Sequence, residues 1–97
     1  MKQALGLAAA WILAAAVVTA GSPDGNGIAT DQGPLIIHPV EHATFVMQWN
    51  DETIAVDPVG GASRFEAFGK ADLVLITDIH GDHLSVDTVK ALAKPST

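Results

Sequence analysis

Residues 71–84 read ADLVLITDIHGDHL, and the rest of the chain is organised around them. Residues 73–76 (LVLI) have the length and composition of a buried strand, and Thr77-Asp78-Ile79-His80-Gly81-Asp82-His83 breaks that strand off abruptly. Asp78, His80, Asp82 and His83 all carry oxygen or nitrogen donors able to bind a metal ion. They fall where open α/β sheets carry their sites, at the carboxyl end of a strand. If Asp78 and His80 continue the strand, its period of two puts them on one side, aimed at one ion. Gly81 lacks a Cβ and allows a sharp bend, which would turn Asp82 and His83 toward a second ion. The plain alternative is a polar surface loop that caps the helix after it.

Ser85 has the character of a helix N-cap, with Val86, Val89, Leu92 and Ala93 on one face, Lys90 and Lys94 late and Pro95 as the stop. Upstream, residues 35–37 (LII) begin a short strand. Residues 43–49 alternate Phe45, Met47 and Trp49 against Thr44, Val46 and Gln48, as a half-buried strand does, and Phe45 and Trp49 read as core. Asn50-Asp51 suits a hairpin turn, after which residues 53–56 pair back until Asp57-Pro58 ends the ladder. Ser63 and Glu66 stand at capping-box spacing, and Gly69 can close a helix of about two turns. The order predicts an α/β fold with a mixed sheet. His38 has no chemical partner in the pattern and reads as structural.

The loop is similar to the metal-binding signature HxHxDH of the metallo-β-lactamase superfamily, written here as DxHxDH. His80, Asp82 and His83 match it, and Asp78 stands where the first histidine is usual. Glu41-His42-Ala43-Thr44-Phe45 and Ile54-Ala55-Val56-Asp57-Pro58 resemble two segments of the branch that holds lactonases and N-acyl-phosphatidylethanolamine phospholipase-like enzymes. The resemblance runs from about Leu35 to Ala93 and covers the first half of that fold, an αββα sandwich.

It implies a metal-dependent hydrolase in which a hydroxide shared by two ions attacks an ester, lactone, phosphodiester or amide. Asp78, His80, Asp82 and His83 would be the metal ligands, with Asp82 also orienting the nucleophile and shuttling its proton. Asp57 would steady a ligating histidine by a hydrogen bond, and His42 would lie near the site without touching metal. Asp78 either binds an ion as a hard, charged ligand or fails to reach it; the resemblance leaves both open. The superfamily's further ligands, two histidines and a bridging aspartate, have no counterpart after His83, so the chain reads as a leading half: a fragment or a truncated gene product. A non-catalytic metal-binding domain is the competing reading.

Composition narrows the partners. Eleven acidic residues against five basic ones give a net charge of −6, with no basic patch to neutralise phosphates, so nucleic acid and anionic membranes are disfavoured and a small-molecule substrate is expected. Without cysteine there is no thiolate ligand or disulfide. Imidazole and carboxylate donors suit zinc best, as one or two ions, though Mn²⁺ or Fe²⁺ could take the same set.

Met1-Lys2, the apolar run of residues 5–18 and Val18-Thr19-Ala20 follow the order of a secretory signal peptide cut after Ala20, which predicts a periplasmic or secreted protein. An uncleaved N-terminal anchor is the alternative. Residues 21–34 are rich in Gly, Pro, Asp and Ser and read as a flexible linker, leaving 35–97 as the partial domain.

Overall fold

The computed structural model describes residues 26–97. The expected signal peptide and the start of the linker lie outside them. Five strands form one sheet in the order β1-β2-β3-β4-β5: Asn26–Ile28, Leu35–Glu41, Thr44–Trp49, Glu52–Val56 and Leu73–Leu75. The first four pair antiparallel, while β5 runs parallel to β4. A 3-10 helix, Ala62–Phe68, makes the crossover between β4 and β5, and helix α1, Val86–Leu92, follows the loop. The sheet is mixed, as expected. Among the described residues no helix is long and apolar enough to cross a membrane.

The β3–β4 turn forms where Asn50-Asp51 places it. Both residues have positive φ, 50° and 63°, which matches the twist of a two-residue hairpin and suits Asn and Asp better than other side chains. The pairs Trp49↔Glu52 and Met47↔Ile54 then set the register of the hairpin.

Side-chain alternation sorts the sheet into two faces. Val46 and Ala55 are directly opposite one another, Val74 is next across, and all three face the helices, where Phe65, Ala71 and Leu92 complete the core. Phe45, Met47, Ile54, Val56, Leu73 and Leu75 take the other face, where Val56 is buried, Phe45, Met47 and Ile54 are half-buried, and Leu73 and Leu75 are exposed. Phe45 and Trp49 are therefore not in the core. The alternation of β3 is real, but the buried set is Thr44 and Val46, because the helices that close the core lie on their side. The Trp49 indole instead donates to Thr30 Oγ1 at 2.9 Å. The expectation of a buried metal strand fails for the same reason. β5 is an edge strand with one face open, which leaves Leu73 46% and Leu75 43% exposed.

Three further expectations change in detail. Residues 26–28 are not linker: β1 pairs with β2 through Asn26↔Ile37 and Ile28↔Leu35, because a main-chain ladder needs no apolar side chains. The capping box at Ser63 and Glu66 does not form. The crossover helix starts two residues earlier, with Gly61 and not Ser63 at the N-cap, has no side-chain cap and closes at Gly69 with φ 73°. In α1, Ser85 caps by accepting from Thr88 N–H, but the buried stripe is Thr88 and Leu92, with Val86 and Ala93 exposed. Thr88 is tolerated there because its hydroxyl accepts from Gly61 N–H at 3.0 Å, tying the helix to the crossover.

His38 is structural, as read: it is buried, 2.9 Å from Gln48 Oε1, with its ring 4.9 Å from that of Phe68. At the far end of β4, Asp72 accepts from Thr53 N–H and pairs with Lys94, fastening the C-terminal segment to the sheet.

Candidate metal centre

Parallel pairing assembles the centre. β4 and β5 run the same way, so Asp57, which follows Val56, and the loop that follows Leu75 emerge side by side at one end of the sheet. The Asp57 N–H donates to Leu75 O at 2.8 Å, and the Thr44 hydroxyl donates to Asp57 O at 2.7 Å. Asp57 itself has φ 46°, a left-handed conformation that Asp tolerates better than most residues. That turn takes the chain out of the strand, and the side chain comes to lie 2% exposed beneath the loop.

A buried carboxylate needs partners, and Asp57 has three. Oδ1 accepts from Thr77 N–H at 2.6 Å; Oδ2 accepts from the Thr77 hydroxyl and from His83 Nδ1 at 2.8 Å. Burial pushes the Asp57 carboxyl up, but the hydrogen bonds from Thr77 and His83 outweigh it and hold the group below its ordinary value. The bond to Asp57 raises His83 above its own, partly opposed by desolvation and helped by the charge of Asp82. Thr77 was not singled out by sequence reasoning. Its signal was position: a hydroxyl where the apolar run ends and the donors begin.

With Nδ1–H given to Asp57, His83 presents Nε2, which lies 3.5 Å from Asp82 Oδ2. Two donors about 2.0–2.1 Å from a tetrahedral zinc ion stand roughly 3.3 Å apart. The Asp82–His83 pair therefore fits two corners of a zinc site, and its donor types suit that ion. Gly81 helps form the turn but is not in the left-handed region; the turn closes by bonds from His83 and Leu84 N–H to His80 O, each 2.9 Å.

Asp78 and His80 do share a side, but not as a continuing strand, because β5 stops at Leu75. Asp78 Oδ1 accepts from His80 N–H at 3.1 Å and lies 2.6 Å from His80 Nδ1, a local turn built by the carboxylate. These bonds, that from His80 N–H foremost, hold the Asp78 carboxyl below its ordinary value. Among the described residues no three such donors converge on one point, so the loop offers a pair and a separate histidine. His42, expected as a supporting residue, sits exposed on the β2–β3 turn with φ 56°. Its turn is at the same end of the sheet, but no hydrogen bond joins it to the loop among the described residues.

The Asp57–His83 pair makes the metal-free fold pH-sensitive on both sides. Asp57 ordinarily titrates at 3.8 and is lowered in the fold, so its contribution is complete above about pH 4 and is lost as pH falls through the lowered value. His83 ordinarily titrates at 6.5 and is raised, so its contribution is complete below that value and is lost as pH rises through the raised one. Urea midpoints of the metal-free chain should peak between about pH 4 and 6.5, and Asp57→Asn should flatten both limbs.

A family model described as "Beta-lactamase superfamily domain" matches residues 37–95, which runs from within β2 past the end of α1 and takes in every donor of the loop. Among solved structures, the chain is similar to a protein of Parabacteroides distasonis ATCC 8503 provisionally named a metal-dependent hydrolase, at 33% identity and a TM-score of 0.66. The match covers 75% of this chain and 34% of that one, so this chain spans about a third of that protein's length. No curated protein matches it significantly. The partial sheet, the loop at its carboxyl end and the match over residues 37–95 together place this chain in the beta-lactamase superfamily, of whose fold it carries the N-terminal part.

Proposed function

We propose that the chain is the metal-binding N-terminal part of an exported metal-dependent hydrolase, with zinc as the ion. The observation that carries this reading is the Asp57–His83 hydrogen bond, which leaves His83 Nε2 3.5 Å from the Asp82 carboxylate. An outer carboxylate that fixes the tautomer and orientation of a ligating histidine is a recurrent feature of metal sites. Asp82 and His83 would hold one ion, and His80 would offer a further ligand. Zinc supplies Lewis acidity and a water that ionises near neutral pH.

This chain's own residues would do the rest. Asp57 and Thr77 hold His83 still, and Asp82 orients the attacking water and takes up its proton. The substrate would be a small ester, lactone, phosphodiester or amide; nothing favours a β-lactam among them. Export rests on the signal-like order of residues 1–20.

The test is zinc titration of single alanine variants of the full chain. His83→Ala and Asp82→Ala should each weaken binding by at least ~10-fold, and His80→Ala should also weaken it. Unchanged affinity in His83→Ala and Asp82→Ala would refute the assignment. A purely metal-binding role is the second reading, favoured by the absence of a three-donor group among the described residues.

A further inference from the structure

Arg64 is the only arginine of the chain, and the fold gives it a seat. Its side chain lies flat on the backbone of Gly60: a Cβ added there would stand 2.5 Å from Arg64 Nε and 2.6 Å from Cδ. Gly60 also has φ 95°, so conformation and space both call for glycine. Across that bare backbone the guanidinium reaches the end of β2, where Nη1 lies 2.5 Å from Glu41 Oε2. Glu41 is paired with Thr44, whose hydroxyl donates to Asp57 O, so this is the end of the sheet that carries the metal loop. Gly60 is three residues past Asp57, a separation of no more than roughly 11 Å of extended chain. Next to it, Gly61 N–H is held by the hydroxyl of Thr88, in the helix that follows the loop.

The lysines of the described residues lie elsewhere. Lys70 donates to Ala91 O and Lys94 pairs with Asp72, both at the opposite end, where Asp72 meets Thr53. Lys90 is in the last turn of α1, which runs away from the loop. Arg64 is therefore the one cation that the described residues place at the loop's end of the sheet. Asp57, Asp78, Asp82 and Glu41 surround it there with negative charge.

We infer that Arg64 is a subsite for an acidic group of the substrate, a carboxylate or a phosphate, and that the molecule hydrolysed is a small anion. The inference rests on the metallo-hydrolase reading for the reaction, and on the placement of Arg64 for the anion. A guanidinium stays charged at every working pH, and its planar fork matches two oxygens of one oxyanion. The Gly60 seat fixes the stem in advance, so little side-chain freedom is left to lose on binding.

Glu41 is a placeholder for that group. The Arg64 side chain is 44% exposed and that of Glu41 55%, and an ion pair so open to water contributes little, so a ligand oxyanion displaces it cheaply. The acidic surroundings then act as a filter. They repel an anion in every pose except the one that rests its acidic group on Arg64, which gives orientation and selectivity more than affinity. A single cation among carboxylates suits a small substrate with one acidic group and not a polyanion.

With one arginine in the chain, its Nε–H gives a single NMR signal. The metal-free full chain is titrated with inorganic phosphate and, separately, with acetate, at an ionic strength held constant with chloride. At least one of the two should move the Arg64 Nε–H signal and the Gly60 and Gly61 amides along one saturating curve that chloride does not reproduce. Glu41→Gln removes the placeholder and should tighten that binding by about 2–5-fold. Arg64→Gln should abolish the shifts at Gly60 and Gly61. Both side chains are half-exposed, so both variants should fold, with circular dichroism as the check.

Shifts that chloride reproduces, shifts that do not saturate, or shifts at Gly60 and Gly61 that survive in Arg64→Gln would overturn the proposal. The tighter of the two anions identifies the acidic group. Anion binding at Arg64 in a chain that takes up no zinc would leave the subsite standing and sink the metallo-hydrolase reading. Zinc uptake with no anion at Arg64 would sink the subsite alone.

Discussion

Asp57→Ala should lower the melting temperature by about 15–30 °C, a loss of roughly 3–5 kcal/mol in a domain of this size. Alanine leaves the Thr77 N–H, the Thr77 hydroxyl and the His83 ring without the acceptor they share in a buried place. It also puts a residue with no polar side chain at φ 46°, where Asp is better tolerated. So small a domain has little stability to spare, and much of the variant should be unfolded at 37 °C.

Asp57→Asn separates the fold from the site. It tolerates the same backbone and retains one acceptor, so it should fold. Its amide nitrogen, however, can donate to His83 Nδ1 and leave the proton on Nε2, the atom that would bind metal. Zinc affinity should then fall by about 10–100-fold with a modest change in melting temperature. Thermal unfolding and zinc titration on both variants would check this. Should Asp57→Asn bind zinc like the parent, the role given to Asp57 at the site would be wrong.

The second large effect concerns turnover. This chain, purified alone with zinc, should hydrolyse no ester, lactone, phosphodiester or β-lactam at a useful rate. A catalytic zinc site takes three protein ligands and one open position. The described residues bring together Asp82 and His83, with His80 apart, and no group of three. The chain has only four histidines, and His38 and His42 are elsewhere, one buried beside Gln48 and one on an exposed turn. An ion held by two ligands is loosely placed, and misplacing the attacking water costs orders of magnitude in rate.

The exposed Leu73 and Leu75 on the edge strand should also make the chain self-associate. Assays of fluorogenic esters, lactones and phosphodiesters with added zinc are the measurement. Turnover that disappears in His80→Ala would show that two or three ligands suffice here. Zinc binding without turnover would agree with the metal-binding reading.

Local rules made much of this readable beforehand. Asn50-Asp51 between two alternating runs made a hairpin because few other pairs tolerate positive φ twice. Ser85 three residues before Thr88 made an N-cap, and Asp57-Pro58 ended β4. The cluster at 78–83 stood out because donors that close together after an apolar run are rarely accidental.

What depends on neighbours in space was decided only in three dimensions. Alternation in β3 has the same period whichever face is buried, so nothing local told Val46 from Met47. The helices settled it by packing on one side. β5 looked internal because an apolar edge strand and an apolar central strand have the same composition; only the sheet order made it an edge. β1 could not be foreseen, because its stability comes from the ladder with β2 and not from its own side chains.

The partners of the carboxylates follow the same logic. Asp57 is twenty residues from Thr77 and twenty-six from His83, and the parallel pairing of β4 with β5 brings them together. A sequence can place an aspartate near a histidine in order; whether the two meet at 2.6, 2.8 or 3.5 Å is a matter of backbone geometry.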